Sequence, residues 1–310
     1  MAQFQLNILG CGSAVPTMRH LPSCQVLDIR DNLMMIDCGE GAQLSMRRQR
    51  LKFSRLHNIF LSHLHGDHCL GLPGLLSTMA LHDVGGTVTV HTFADGAKIL
   101  GETINFFCRE RSFDLRFNII DPRATGIIYA DNAVTVESFP LYHRVPCVGF
   151  IVREKPKSRH IIGDMVKFYN VPHYKMVELK AGADFVTPDG QVIPNSRLTT
   201  DPDPSTSYAY CSDTVFDPRV AEAIAGVDVV YHEATYADDW VHKAVDRGHS
   251  TASQAAEIAR LAGAKQLIIG HYSKSYPDET LHLAQARAIF PNTICANEGL
   301  RVDLEAAASN

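Results

Sequence analysis

No Cys-x-x-Cys pair occurs in this chain, no run approaches 18 uninterrupted apolar residues, and no internal repeat or low-complexity linker is present. Each absence excludes a class. Eight cysteines without regular spacing do not read as a disulfide framework, and reduced thiols in a cytoplasmic protein are the expectation. Without a long apolar run nothing spans a bilayer, so no membrane partner is expected. The opening Met-Ala-Gln-Phe-Gln-Leu-Asn has neither a basic region nor an apolar core, so no signal peptide is expected. Positive charge is scarce as well: 29 Lys and Arg face 34 Asp and Glu, a formal net charge of -5. That balance argues against a general nucleic-acid coat but leaves room for a local basic patch.

What is present reads as a soluble globular protein. At 310 residues, 45% hydrophobic and 20% charged, the chain can bury a sizeable core in one large domain or two small ones. Alternation with period two predicts a strand over 4–8, ending in the turn Leu9-Gly-Cys-Gly-Ser-Ala-Val-Pro16. Segments 25–29 and 33–36 flank Arg30-Asp-Asn and predict a hairpin. Helices are expected over 42–51 and 75–81 and from near Asp95, strands over 87–92 and 134–139, and a short strand pair around Ile119 and Ile128. Thr251 and Gln254 form a capping-box pattern that opens a helix reaching about Leu261. Alternating strands and helices with antiparallel hairpins predict an α/β protein with two sheets covered by helices.

The densest chemistry lies in Ile59-Phe-Leu-Ser-His-Leu-His-Gly-Asp-His68. A buried strand runs into three histidines and an aspartate. His63 and His65 are two apart and point the same way, while Gly66 lets the backbone turn and bring Asp67 and His68 round. Imidazole nitrogens and carboxylate oxygens suit zinc or a similar divalent ion. Further potential ligands stand at strand ends: His143 before a new strand, Asp213 ending the strand of Ser207-Tyr-Ala-Tyr-Cys-Ser-Asp213-Thr, and His271 after 267–269. Asp37, also at a strand end, is placed to brace a ligand from behind. His232-Glu233-Ala-Thr and His249-Ser-Thr complete the set, with His249 just before a helix N-terminus.

With these segments assembled, the chain resembles ribonuclease Z, the tRNA 3′-processing endonuclease family of the metallo-β-lactamase superfamily. His-x-His-x-Asp-His alone marks the superfamily. Leu-Ser-His-Leu-His-Gly-Asp-His followed by Gly71-Leu-Pro-Gly-Leu-Leu, with His-Glu-Ala-Thr and His-Ser-Thr, is specific to ribonuclease Z. The resemblance implies a four-layer αββα sandwich over 1–310 with an inserted tRNA-binding arm over 153–205, two zinc ions per chain, and a homodimer. It implies that His63, His65 and His143 hold one zinc, that Asp67, His68 and His271 hold the other, and that Asp213 bridges them. It also implies Asp67 as general base and the pair Glu233 and His249 as proton donor to the leaving oxygen. The expected activity is removal of the 3′ trailer from precursor tRNA by a metal-bound hydroxide, leaving a 3′-hydroxyl. Two Zn²⁺ less Asp67, Asp213 and a hydroxide leave about one positive charge, the complement of one phosphodiester.

The chain departs from the family pattern in three places. The interval 153–207 starts with Arg153-Glu-Lys-Pro-Lys-Ser-Arg-His, and seven bases against three acids over 153–180 suggest a backbone-reading arm with Lys157, Arg159 and Lys175 as contacts. It lacks the Gly-Pro signature of such arms and has Val171-Pro-His-Tyr-Lys instead. The loop linked to rejecting CCA-bearing tRNA reads Pro16-Thr-Met-Arg-His20, with Met18 where a lysine is usual. Beside the site, Ser273 and Lys274 are candidate substrate contacts, Lys274 standing where an arginine is usual. The rival readings are a small-molecule phosphodiesterase or other hydrolase of the superfamily, and an inactive RNA-binding homologue.

Overall fold

In the computed structural model, which describes residues 4–309, the apolar runs of the first half line up as a seven-stranded sheet. Its order is Arg301–Asp303, Phe4–Gly10, Cys24–Ile29, Asn32–Ile36, Leu56–Phe60, Gly86–Thr92 and Phe113–Ile119. The first three pairings are antiparallel and the last three parallel. A second seven-stranded sheet runs Thr293–Cys295, Gln266–Gly270, Val229–Glu233, Ser207–Cys211, Cys147–Glu154, Val134–Leu141 and Gly126–Ala130. Its first four strands are parallel to one another. Residues 1–3, on which the leader expectation partly rests, lie outside the described residues.

Both faces of the first sheet are covered. Leu6, Ile8, Met34 and Phe60 pack with Val136, Phe139, Phe150 and Tyr210 of the second sheet. The out-of-phase residues Leu33, Met35, Ile59 and Val90 pack against Leu72, Leu75 and Met79 of the helix Leu72–Leu81. Strands buried on both faces read as near-continuous apolar runs. On the far side of the second sheet, Ala255, Ile258 and Ala259 of the helix Ala252–Ala262 join the same core as Leu267 and Val229. The arrangement is the four-layer αββα sandwich.

Most local expectations hold. The hairpin forms with Val26 opposite Met35, and Thr251 and Gln254 make both bonds of the capping box. The strand pair around Ile119 and Ile128 does not form. Phe113–Ile119 pairs with Gly86–Thr92 at the edge of the first sheet, and Gly126–Ala130 pairs with Val134–Leu141 in the second. The connection between them carries Pro122 and no tight-turn dipeptide, so it crosses from one sheet to the other. The helix expected over 42–51 stops at Arg48, because Arg50 takes a left-handed φ of 60°. The helix expected over 75–81 starts earlier, at Leu72, with Pro73 in its first turn.

Residues 154–205 form a separate compact unit. Its core is Val166, Val171, Leu179, Phe185, Ile193 and Leu198. Asn195 satisfies its turns, donating to the Leu179 and Ala183 carbonyls at 2.9 and 2.7 Å and accepting from Thr199 Oγ1 at 2.6 Å. The basic excess of 153–180 does not extend to the whole unit. From Glu154 to Ser205, Arg153 drops out, Arg197 enters and Asp184, Asp189, Asp201 and Asp203 are added, giving seven bases and seven acids. Lys157 pairs with Glu154 at 3.2 Å, Arg159 with Asp201 at 2.7 Å and Lys175 with Glu178 at 2.8 Å.

Gly71 holds the metal-motif turn against the Asp37 turn. Its N–H donates to the Cys38 carbonyl at 2.8 Å, and a Cβ would lie 2.0 Å from the Gly39 carbonyl oxygen. Gly71→Ala should therefore lower the stability of the metal-free chain by about 2 kcal/mol. A urea midpoint equal to that of the wild type would refute this packing role.

Candidate metal centre

Parallel strands deliver their C-terminal ends to one edge, where sites on layered α/β folds collect. Here Asp37 follows Asn32–Ile36, His63 and His65 follow Leu56–Phe60, Asp213 follows Ser207–Cys211, Glu233 ends Val229–Glu233, and His271 follows Gln266–Gly270. Asp67 and His68 sit in a one-turn helix, Gly66–Cys69. Gly66 takes no left-handed turn there, and a Cβ would meet only the movable, exposed side chain of Leu70, its Cδ1 at 2.7 Å.

Two histidine sets result. His63 Nε2 and His143 Nε2 lie 3.1 and 3.3 Å from His65 Nδ1. His68 Nε2 lies 3.2 Å from His271 Nε2, with Asp67 Oδ2 at 3.5 and 3.4 Å from them. Asp213 stands between the sets. Its Oδ2 is 3.6 Å from His63 Nε2, and its Oδ1 is 3.5 and 3.3 Å from His68 and His271. Asp213 Oδ1 is buried without a hydrogen-bond partner.

The surrounding bonds fix which nitrogens face inward. His143 Nδ1 donates to the Gly248 carbonyl at 2.7 Å, and His68 Nδ1 to Asp37 Oδ2 at 2.7 Å. Ser62 Oγ gives its proton to Asp37, so it accepts from His63 Nδ1 at 3.1 Å. Thr235 Oγ1 gives its proton to Glu233 at 2.6 Å, so it accepts from His271 Nδ1 at 2.8 Å. Four Nε2 atoms and His65 Nδ1 are left with lone pairs converging on two points. Converging lone pairs beside an unpartnered carboxylate oxygen could hold a cation, and a His-carboxylate donor set fits zinc. Burial disfavours charge on His68, but Asp213, Asp37 and Asp67 outweigh it and raise its pKa well above normal. A metal ion would displace that proton.

Glu233 and His249 also meet, with His249 Nδ1 3.0 Å from Glu233 Oε1. Glu233 accepts as well from the amides of Thr214, Thr235 and Ser250 at 3.1, 3.0 and 3.0 Å. Burial pushes the Glu233 carboxyl up, but His249, His271 and the Thr235 hydroxyl bring it to about 2. Burial pulls His249 down, and Glu233 and Asp213 more than offset that, taking it to about 9. Asp67 Oδ2 accepts from Ala14 N at 2.7 Å. Burial raises the Asp67 carboxyl, but His68 and His271 carry it below the usual carboxylate range.

The cleft over these residues, about 380 Å³, is lined by His65, Asp67, His143, His249, Arg144 and Arg247, among others. Ser273 and Lys274 line a different cavity, with Thr17, Met18 and Arg19 of the N-terminal loop. Lys157, Arg159 and Lys175 belong to the 154–205 unit. Thr235, the Gly248 carbonyl and the two cleft arginines escaped the sequence reading. Thr235 sat inside a motif already singled out, and Arg144 beside a candidate ligand, but spacing does not reveal partners.

A family model described as Beta-lactamase superfamily domain matches residues 195–272, and one described as Anti-Pycsar protein Apyc1 matches residues 4–93. Ribonuclease Z of Bacteroides fragilis strain YCH46 is 50% identical over 98% of this chain and 100% of its own length. Ribonuclease Z of Porphyromonas gingivalis strain ATCC 33277 is 48% identical over 98% of this chain and 100% of its own. Among solved structures, human tRNase Z, short form, superposes with a TM-score of 0.70 at 24% identity, covering 97% of this chain and 99% of its own. A diphosphatase of the PhnP family does so at 0.63 and 16%, covering 96% and 97%.

Asp37→Asn keeps the shape but weakens the acceptor of the His68 Nδ1 proton. Zinc affinity, measured by competition with a chromogenic chelator, should fall about 10–100-fold. Wild-type affinity would show that Asp37 does not orient His68.

Proposed function

The chain belongs to the ribonuclease Z family, and from that premise we propose that it is a zinc-dependent endoribonuclease that removes the 3′ trailer from precursor tRNA. Identity of 50% over essentially the full length of both chains carries this reading. In it, His63, His65 and His143 would hold one zinc, Asp67, His68 and His271 would hold the other, and Asp213 would serve both. Two such ions, when bound, supply positive charge for the phosphate and lower the pKa of a shared water.

The protein's own groups do the rest. Asp67, held by the Ala14 amide, serves as general base for the attacking water. His249 is steered by Glu233 through Nδ1, so Nε2 protonates the departing ribose 3′-oxygen and the tRNA leaves with a 3′-hydroxyl. Ser273 and Lys274 contact RNA beyond the cleft. Residues 153–205 serve as the tRNA-binding arm through Lys157, Arg159 and Lys175, by local contacts rather than net charge, since the unit is neutral overall. The eight free cysteines suit the reducing cytoplasm, and among the described residues no helix is long and apolar enough to cross a membrane. The exposed Ile99, Phe106 and Phe107 of the helix Ala94–Phe107 give a second copy an apolar face to cover, in keeping with a homodimer.

The test is cleavage of an end-labelled precursor tRNA with and without a chelator, mapping the cut. A chelator-sensitive cut just past the discriminator base is expected. Hydrolysis of a simple phosphodiester without any RNA cleavage would move the function to the small-molecule reading. His249→Ala should retain both zincs and lose roughly 10²–10⁴ in kcat; unchanged turnover removes His249 from the mechanism. Asp213→Ala should lose zinc by elemental analysis, and a variant that keeps two ions refutes the bridge.

A further inference from the structure

Arg144 follows His143, and Arg247 stands two residues before His249; both line the cleft over the histidine sets. Both are exposed, and neither has a hydrogen bond or ion pair to any described residue. Elsewhere Arg19, Arg55, Arg219 and Arg260 each close on a carboxylate. In a chain of net charge -5, guanidinium groups left unpaired on a cleft invite an anion from outside.

The bond from His143 Nδ1 to the Gly248 carbonyl, 2.7 Å, ties the segment that carries Arg144 to the C-terminal end of the helix Val241–Arg247, whose last residue is Arg247. Gly248 has a left-handed φ of 78°, and a Cβ there would meet His143 Nδ1 at 2.7 Å and Arg144 Cγ at 3.3 Å. The Arg144 stem therefore runs along Gly248. Arg144 also lines an adjoining cavity of about 560 Å³, walled by Tyr142, Val145, Pro146 and Val245, where Arg123 supplies another exposed guanidinium. Guanidinium groups beside an aromatic and apolar wall suit a nucleotide, phosphate on the one and base or ribose on the other.

The direction of the chain follows from the proton donor, and here the inference rests on the proposed function. The leaving 3′-oxygen belongs to the nucleoside on the 5′ side of the cut and must lie at His249. The next backbone charge on that side is the same nucleoside's 5′-phosphate. We propose that Arg144 and Arg247 bind this 5′-flanking phosphate, and that the Arg123 cavity receives the nucleotide that follows it. The site is thus a subsite for RNA backbone upstream of the scissile bond.

The experiment compares wild type, Arg144→Ala, Arg247→Ala, the double alanine variant, Arg144→Lys and Arg247→Lys on precursor tRNA and on bis(p-nitrophenyl) phosphate, which has no flanking phosphate. Binding of processed tRNA is followed by anisotropy against salt. Each alanine variant should lose about 10–100-fold in kcat/KM on precursor tRNA, at least tenfold more than on the small diester, with wild-type zinc content. The salt slope of binding should fall by about 0.7 per arginine removed, and lysine should restore the slope but only part of the affinity. A neutral methylphosphonate at the 5′-flanking position should slow wild type and leave the double alanine variant unaffected. Equal losses on both substrates, full activity of the variants, or coupling only to a methylphosphonate on the 3′ side each overturn the proposal while leaving the endoribonuclease reading intact. A wild type that hydrolyses the small diester and cuts no RNA overturns both.

Discussion

The buried carboxylate of Asp37 ties the two sheets to the histidine cluster. It is fully buried, and a carboxylate in that position is costly unless donors surround it. Four do: Ser62 N at 2.8 Å, Ser62 Oγ at 2.8 Å, His68 Nδ1 at 2.7 Å and Tyr210 OH at 2.7 Å. The two Ser62 donors come from the segment after Leu56–Phe60, His68 from the one-turn helix Gly66–Cys69, and Tyr210 from the second sheet. One side chain thus sets the orientation of His68, sets that of His63 through Ser62, and joins the sheets at the edge where the ligands gather. Asp37 itself takes a left-handed φ of 55°, and so does His271 at 63°. Non-glycine residues in that region cost of order 1–3 kcal/mol and persist only where the surroundings over-determine them. Both positions are so determined, Asp37 by its donors and His271 by Thr235, His68 and Asp213.

The sequence exposed what depends on short range. His63, His65, Asp67 and His68 stand within six positions, so their crowding was visible in the sequence, although His63 and His65 lie past the strand end and Asp67 and His68 on a one-turn helix rather than on a sharp turn at Gly66. The capping box at Thr251 and Gln254 was legible for the same reason. Long-range choices were not. His143 and Gly248 are joined across 105 positions, and nothing in the spacing of either announces the other. Phe113–Ile119 and Gly126–Ala130 looked like partners because they are close in sequence, whereas each had a better edge to join elsewhere. The neutrality of residues 154–205 was hidden by stopping the count at Lys180, before four aspartates folded into the same unit. The roles of the site residues came through resemblance rather than through spacing.

The hydroxyl of Thr235 joins two parts of the site that a residue-by-residue account keeps separate. Its proton goes to Glu233, the carboxylate that steers His249, and its lone pair receives the proton of His271 Nδ1. The same oxygen lies 3.2 Å from His249 Nδ1. One small group therefore sets the tautomer of a proposed metal ligand and shares the carboxylate that holds the proposed proton donor. The distance between donor and metal centre is consequently not free to vary: moving one imidazole breaks the bond that positions the other. Such mutual constraint matters for a reaction in which attack and departure occur on opposite sides of one phosphorus atom, because both proton partners must be in place at once. It also explains why Glu233 is fully buried although its proposed role is at the cleft. Only a buried carboxylate surrounded by amide donors stays fixed enough to transmit that alignment.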